Sequence, residues 1–374
     1  MCSSDLAVFP RDKCCGDGLT TLALRRLHEL GLDPGSVPSW TGVASAWLRS
    51  PAGREVELPL PTNGSFAAVT PRLELDDALV RLARASGVEV REDTSFVGAV
   101  EEDDAVAVTV RSQEQETTIR AAWVVAADGM WSPVRKALGV APPNYLGEWH
   151  AFRQYASNVT GVGRDRLIVW FDEDLLPGYA WSFPLPDGRA NIGFGVWRDG
   201  VRRIQDMNRL WTDLLGRPHV REALGADVVL EGRHTAWPIP ARIDRAVTGV
   251  GRVLFAGDAA MATDALTGEG IGQALLTGME ASRAIATGSD PADVRRTYRR
   301  AVDHHLAADH RMSLRLGRVL AHRRGAEGAI SLLAHAGDWS RRMFARWMFE
   351  DEPRAILLTP RRWHRRVLRQ PGAY

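Results

Sequence analysis

The segment VLFAGDAAMATDALTGEGIGQAL, residues 253–275, gathers groups suited to a flat, charged ligand. Its apolar run ends at Gly257 and Asp258, which predicts a buried strand with a carboxylate at its carboxyl end. Ligands of open α/β sheets bind at that end, where a carboxylate accepts hydrogen bonds from ribityl or ribose hydroxyls. The loop 264–270 then leads into a helix predicted to run from about Gly270 to 287. Free N–H groups and the positive dipole end at a helix start suit a ring edge that gains negative charge. The N1–C2=O edge of a reduced flavin is one such edge. Gly268 and Gly270 would let the backbone lie close to a flat ring. A plainer role for Asp258 and Glu269 is to cap turns, but the string as a whole outweighs it.

Three further strings carry chemistry. WVVAADGMWSPVRKALG, 123–139, predicts a second buried strand, 123–127, ending at Asp128-Gly129, with Ser132 and Arg135 behind it. Alone, it is equally an Asp-Gly turn with a Ser cap. GYAWSFPLPDGRANIGFG, 178–195, sets Tyr179, Trp181 and Phe183 on one face of a strand. Three such aromatics wall a pocket or fill a sheet core. FPRDKCCGDG, 9–18, holds Lys13, one of two lysines in a chain rich in arginine, and Cys15.

Together these strings resemble the geranylgeranyl reductase family, flavoproteins with the fold of p-hydroxybenzoate hydroxylase. The family's Pro-x-x-Lys-x-Cys-Gly is matched by Pro10, Lys13, Cys15 and Gly16. Its Tyr-x-Trp-x-Phe-Pro is matched by Tyr179, Trp181, Phe183 and Pro184, and its Thr-Gly-Glu-Gly by residues 267–270. Flavin halogenases carry Trp-x-Trp-x-Ile-Pro in place of the aromatic motif. Asp128, Gly129, Ser132 and Arg135 match the Asp-Gly fingerprint shared with flavin hydroxylases. The resemblance runs in order through 7–290, with Ala265 where the family usually has Pro.

The resemblance implies FAD as cofactor. It implies that Lys13, Gly16, Arg72, Asp128, Gly129, Arg135, Gly257, Asp258, Gly268, Gly270 and Ile271 hold it. Cys15, Tyr179 and Trp181 would be catalytic, and Tyr179, Trp181 and Phe183 would contact a polyprenyl lipid. The reaction would deliver hydride to an isolated C=C bond, with NAD(P)H or a ferredoxin as electron donor. A structural role for Cys15, as a small buried hydrophobe, stays equally open. The competing reaction is that of an FAD-dependent monooxygenase using NAD(P)H and O2.

The elements that must position these residues predict a mixed α/β fold. Strands at 123–129 and 253–258 flank an antiparallel block. A Rossmann-like FAD-binding domain would then be discontinuous, over 7–145 and 246–290, with an inserted substrate domain at 146–245. Part of 38–70 is free to join that insert. Residues 291–374 are expected to be helical and Arg-rich. The tail 341–374, with Trp347 and Trp363, reads as a basic surface for an anionic membrane or as a packed subdomain with a solvated Arg face. The net charge of +1 argues against nucleic acid. No apolar run reaches the ~20 residues of a membrane span. Three cysteines, Cys2, Cys14 and Cys15, form no disulfide framework, and no metal site is expected. The expected location is cytoplasmic, or peripheral at the inner face of the membrane.

An FAD domain of this type begins strand, G-x-G-x-x-G, helix, strand, with an acidic residue ~20 positions on. No such fingerprint precedes residue 7, and Gly16-Asp17-Gly18 lacks the spacing. The expectation is an N-terminally truncated chain, short of roughly 30 residues of that unit. Met-Cys-Ser-Ser-Asp-Leu, residues 1–6, can be encoded by the end of a common sequencing adapter, so Asp5 is assigned no role. The non-catalytic alternative is a chain that cannot retain FAD.

Overall fold

The computed structural model describes residues 2–198, 204–356, 359–360, 363–365 and 367–374. A seven-stranded sheet dominates, in the order Val229–Ile239, Trp149–Ser157, Arg189–Trp197, Tyr179–Leu185, Leu167–Trp170, Ser45–Arg49, Glu55–Pro59. All neighbours are antiparallel except Leu167–Trp170 with Ser45–Arg49, which run parallel. The last two strands come from the 38–70 stretch. One face packs Phe152, Ala180, Ile192 and Phe194 against Trp211 and Leu214 of the Ile204–Gly216 helix and Leu224 of the Pro218–Leu224 helix. The other face presents Ala151, Leu167, Trp181 and Phe183. Cover on both faces explains why Tyr179–Leu185 and Arg189–Trp197 are buried at nearly every position.

The remaining sheets are small. Val124–Ala126 runs parallel to Val253–Phe255, which pairs antiparallel with Gly249–Val250. Cys2–Ser4 pairs parallel with Glu89–Arg91, and Ser95–Glu101, Val106–Ser112 and Gln115–Ala121 form a meander. The expected buried strand 123–127 is corrected to Val124–Ala126, in which only Ala126 is buried and Val125 is 39% exposed. The cause is its position as an edge strand, paired on one side only. Leu254 and Phe255 are fully buried against Leu276 and Tyr298, and the Tyr298 hydroxyl donates to Phe255 O.

Helical periodicity holds for Thr21–Glu29, Arg72–Ala85 and Ile271–Thr287. Helices Pro291–Val302, Ala308–Leu320, Arg323–His335 and Asp338–Met348 follow. Beyond Met348 the described residues hold no α-helix, only 3-10 positions at Ile356 and Pro360, which corrects the expectation of a helical run to 374. Residues 357, 358, 361, 362 and 366 of the tail lie outside the described residues. The tail's arginines are not all solvated. Arg346 and Arg354 are buried, paired with Asp351 at 2.6 Å and with Asp264 at 3.4 Å. They are buried because the tail folds back on the Thr21–Glu29 helix: Arg25 binds Asp351, and Tyr374 stacks on His28 at 4.8 Å.

Candidate active site

The loop that carries Cys15 is clamped to the large sheet. Arg153 donates to Cys15 O at 3.2 Å, to Lys13 O at 3.0 Å, and to the Asp12 carboxylate. Asn191 donates from Nδ2 to Cys15 O at 2.9 Å and to Asp17 Oδ2 at 2.8 Å, while its Oδ1 accepts from Trp181 Nε1 at 3.0 Å. Tyr155 donates to the same Asp17 Oδ2 at 2.6 Å. Asp17 is fully buried in a left-handed conformation (φ 64°), and its Oδ1 has no partner among the described residues. Burial pushes its carboxyl up to about 6, against the pull of Tyr155 and Asn191. None of Arg153, Tyr155, Asp17 or Asn191 stands out in the sequence. The one signal was Gly16-Asp17-Gly18, a carboxylate between two glycines, which matches no phosphate-loop spacing.

This clamp lays the loop against aromatic rings. A Cβ on Gly16 would meet Trp181 at 3.5 Å, and one on Gly18 would meet Phe183 at 3.1 Å. Above the rings opens a cleft of about 320 Å³. Lys13, Cys15 and Gly16 form one wall, and Tyr179, Trp181 and Phe183 the floor. Arg72 and Gly129 line it from further sides. Gly257, Asp258, Gly268, Gly270 and Ile271 complete it. Asp128 and Arg135 are not brought into the cleft. Asp128 accepts from Ser132 Oγ at 2.7 Å and from Val134 N at 3.0 Å. Arg135 turns inward and donates to Val247 O and Ala259 O, each at 2.8 Å. Asp128, with Ser132, caps the short helix after the Gly129 turn, as in the plainer reading, whereas Arg135 staples carbonyls of distant segments.

Burial pushes the Cys15 thiol up to about 12, more than the nearby Arg72 offsets, so it keeps its proton. Arg72 is held by two hydrogen bonds to Asp76, at 2.7 and 2.8 Å. Although burial pushes Asp76 up, Arg72 and Arg11 hold it below the usual carboxylate range.

The helix start is open. Gly270 caps Ile271–Thr287 with no side-chain hydrogen bond, so the first N–H groups face the cleft. The loop before it is shaped by Asp264, whose Oδ1 accepts from Leu266 N, Thr267 N and Thr267 Oγ1. Ala265 O accepts from Trp149 Nε1 at 3.2 Å. Gly268 has φ +73°, where only glycine is unstrained. Gly257 has φ +58°; its N–H donates to Thr277 Oγ1, and an added Cβ would lie 3.1 Å from Ala274. Among the described residues Asp258 has only Thr263 Oγ1 beside it, at 3.3 Å, which leaves its carboxylate acceptors for a ligand hydroxyl. An uncapped helix start, a strip of glycine backbone over aromatic rings and a free strand-end carboxylate fit an isoalloxazine with its ribityl chain. Among the described residues, no strand–glycine loop–helix unit of the pyrophosphate type lines the cleft.

A second cavity, about 260 Å³, lies against the first. The two share Gly18, Tyr179, Phe183, Thr267 and Glu269. The second is lined by Leu48, Leu167, Val169 and Phe171 of the large sheet and by Ile330, Leu333, Phe344 and Trp347 of the C-terminal helices. The aromatic strand therefore serves both alternatives: Trp181 and Phe183 belong to the sheet core and also wall the cleft. The Tyr179 hydroxyl donates to Thr267 O and fixes the partition. Sequence reasoning missed the contribution of the C-terminal helices. No helix among the described residues is long and apolar enough to cross a membrane.

The FAD binding domain family matches residues 24–289. Menaquinone reductase from Mycolicibacterium smegmatis is 32% identical over 314 residues, covering 76% of this chain and 70% of that protein. Digeranylgeranylglycerophospholipid reductase 2 from Methanopyrus kandleri is 27% identical over 288 residues, covering 76% and 70%. A solved structure of a geranylgeranyl bacteriochlorophyll reductase-like protein from Thermoplasma acidophilum gives a TM-score of 0.75 at 19% identity, over 96% of this chain and 91% of that one. The flavin-dependent halogenase CmlS gives 0.70 at 19% identity, over 92% and 67%. These structural likenesses show the fold. The family match and the 32% identity carry the rest: the chain belongs to the FAD binding domain family, as a geranylgeranyl reductase-like oxidoreductase with FAD as its cofactor.

Proposed function

We propose that the protein reduces isolated C=C bonds of a polyprenyl chain, with the prenyl side chain of a menaquinone as the first substrate to test. The observation that carries this reading is the apolar cavity abutting the flavin cleft across Tyr179, Phe183, Thr267 and Glu269. A prenyl chain in that cavity would bring a double bond to the partition. The named activities of the relatives, on menaquinone and on digeranylgeranylglycerophospholipid, support the same class.

Bound and reduced FAD supplies a hydride. The chain's own residues bind and orient. The open N–H groups at Gly270 and Ile271 would receive the ring edge that gains negative charge, and Asp258 would accept from ribityl hydroxyls. Lys13, whose ammonium forms no ion pair among the described residues, adds positive charge at the cleft. An unactivated alkene has no oxygen to polarise, so catalysis must rest on placing it close to the ring in a dry site. Tyr179 and Trp181 suit that task. Each ring is tethered at its polar end, to Thr267 O and to Asn191 Oδ1, which leaves its apolar body as wall. Cys15, held as a thiol, lies in the cleft wall beside these rings.

The cavity opens near Val319, which lines it and is 56% exposed. Leu332 and Trp339 are exposed on the neighbouring helices, each at 74%. This apolar rim supports peripheral contact with a lipid surface at the cytoplasmic side of the membrane, from which a prenyl lipid would enter. NAD(P)H or a reduced ferredoxin would restore the reduced cofactor. The experiment is oxygen uptake with NAD(P)H and menaquinone. A reductase shows no lipid-stimulated uptake, whereas a monooxygenase consumes oxygen in step with a hydroxylated lipid.

A further inference from the structure

One acidic side chain, Glu269, lies in the partition and lines both cavities. Among the described residues its carboxyl group makes no hydrogen bond or ion pair. Its side chain is half-buried and borders both cavities.

Behind it stands a buried charge cluster. Arg354 pairs with Asp264 at 3.4 Å and with Glu350 at 3.6 Å. Asp264 also accepts from Ser313 Oγ at 2.7 Å, besides its loop donors. Burial pushes Asp264 up, but Arg354 and these donors outweigh it and hold its carboxyl low. Asp264 therefore keeps its charge and balances Arg354. Glu350 accepts from Thr20 Oγ1 at 2.8 Å and from Gln273 Nε2 at 2.9 Å, yet burial moves it upward. Glu269 is moved up to about 8, by burial first and then by the negative charges of Glu350 and Asp264; Arg354 only partly offsets them. The remaining groups that sense Glu269 are Cys15 and Tyr179, both protonated. One cation and two further acids leave a proton to spare at neutral pH.

The cluster also reaches a third cavity, about 190 Å³, lined by Asp264, Gln273, Glu350 and Arg354 and, further out, by Arg25, His305 and Asp309. Glu350 faces this cavity and not the apolar one; Glu269 faces the apolar cavity and not this one. Thr20 lines the apolar cavity and donates to Glu350, joining the two sides.

We propose that Glu269 is a catalytic proton donor, giving its carboxyl proton to the prenyl carbon that does not receive the hydride, and that Glu350 reloads it from the third cavity. This rests on the reading of the site as a prenyl reductase. The π bond breaks as one carbon takes hydride with its electron pair and the other takes H+ from Glu269. The carboxylate left behind takes a proton from Glu350, which takes one from solvent. The two electrons come through FAD from the nicotinamide or ferredoxin donor. Cys15 is the rival donor on the same wall, but its thiol is pushed up to about 12, far from working pH. Glu269 is the better matched acid.

Two measurements test this on the FAD-loaded protein. Infrared difference spectra of the lipid-free protein, titrated through neutral pH, should show a protonated-carboxyl C=O band that bleaches near about 8. The band should be absent in E269Q and should bleach at lower pH in E350Q, where a negative neighbour is gone. In anaerobic single turnover with menaquinone, E269Q should slow flavin reoxidation by about 100-fold or more at unchanged flavin content and with a melting temperature no lower than that of the wild type. E350Q should lose rate mainly as pH rises. Absence of the titrating band, or reoxidation of E269Q at the wild-type rate, would overturn the proton role alone. A wild-type protein that neither menaquinone nor digeranylgeranylglycerophospholipid reoxidises would overturn the prenyl-reductase reading instead, and the infrared band would still report the protonation of Glu269.

Discussion

Asp17→Asn should stabilise the protein at neutral pH and leave it unchanged in acid. In the native protein Asp17 Oδ2 accepts from both Tyr155 and Asn191, while Oδ1 is buried without a partner. An amide oxygen in the place of Oδ2 keeps both hydrogen bonds, and the NH2 group occupies a position that was already unpaired. Asparagine tolerates the left-handed backbone, φ 64°, as well as aspartate does. What the substitution removes is the ionisation. The carboxyl is raised from 3.8 to about 6, a difference of about 2 pH units, or about 3 kcal/mol. Because the folded-state value is raised, the native protein holds this proton more tightly than the unfolded chain. Stability is fully present below the unfolded value. It falls by up to about 1.4 kcal/mol per pH unit as pH rises towards 6, then stays low. Glu269 and Glu350 contribute with the same sign at higher pH, so the difference between variant and wild type isolates Asp17. Equilibrium urea unfolding at ~pH 4 and ~pH 8, with FAD in equal excess, reads it directly. The expected gain is about 3 kcal/mol at the higher pH and near zero at the lower. An equal loss at both would mean that the charge itself holds the Cys15 loop, and the reasoning would be wrong.

Gly268→Ala has room for its methyl, since the nearest atom, Ile239 Cδ1, is 3.9 Å away. The φ of +73° nevertheless costs an alanine about 1–2 kcal/mol, which should appear as weaker FAD binding in a fluorescence titration. Unchanged affinity would remove the loop from the cofactor site. Ile330→Trp should fill the apolar cavity, block reoxidation by menaquinone and leave the flavin spectrum and content intact. Equal turnover would show that the prenyl chain binds elsewhere.

Much of the frame was legible because it rests on local patterns. Leu75, Leu79 and Leu82 set the inward face of Arg72–Ala85, and the alternation of Tyr179, Trp181 and Phe183 put all three on one side of a strand. The Thr267–Gly270 loop could be read because φ-permissive residues at a strand-to-helix turn have few other uses. The misses share one cause: a side chain's direction depends on partners far along the chain. Asp17, Tyr155 and Asn191 meet from three separate segments. Arg135 could face a ligand or staple carbonyls, and only the placement of Val247 and Ala259 decides. The Arg-rich tail hides the same ambiguity, since Arg354 is buried against Asp264, 90 residues away, and Arg346 shares Asp351 with Arg25 of the first helix. The half-exposed Val125 follows from strand order, which no run of apolar residues encodes. The apolar cavity needed the C-terminal helices and the aromatic strand together, and neither alone announces it.

Reduction of the prenyl chain itself is read from the mass of the lipid formed in one anaerobic turnover. FAD-loaded protein is reduced with dithionite, freed of excess reductant and mixed with menaquinone. The prediction is a product heavier by two hydrogens in its prenyl side chain, formed in step with the return of oxidised-flavin absorbance. A lipid of unchanged mass beside a flavin that stays reduced, or a product formed only when oxygen is admitted and heavier by an oxygen atom, would contradict it.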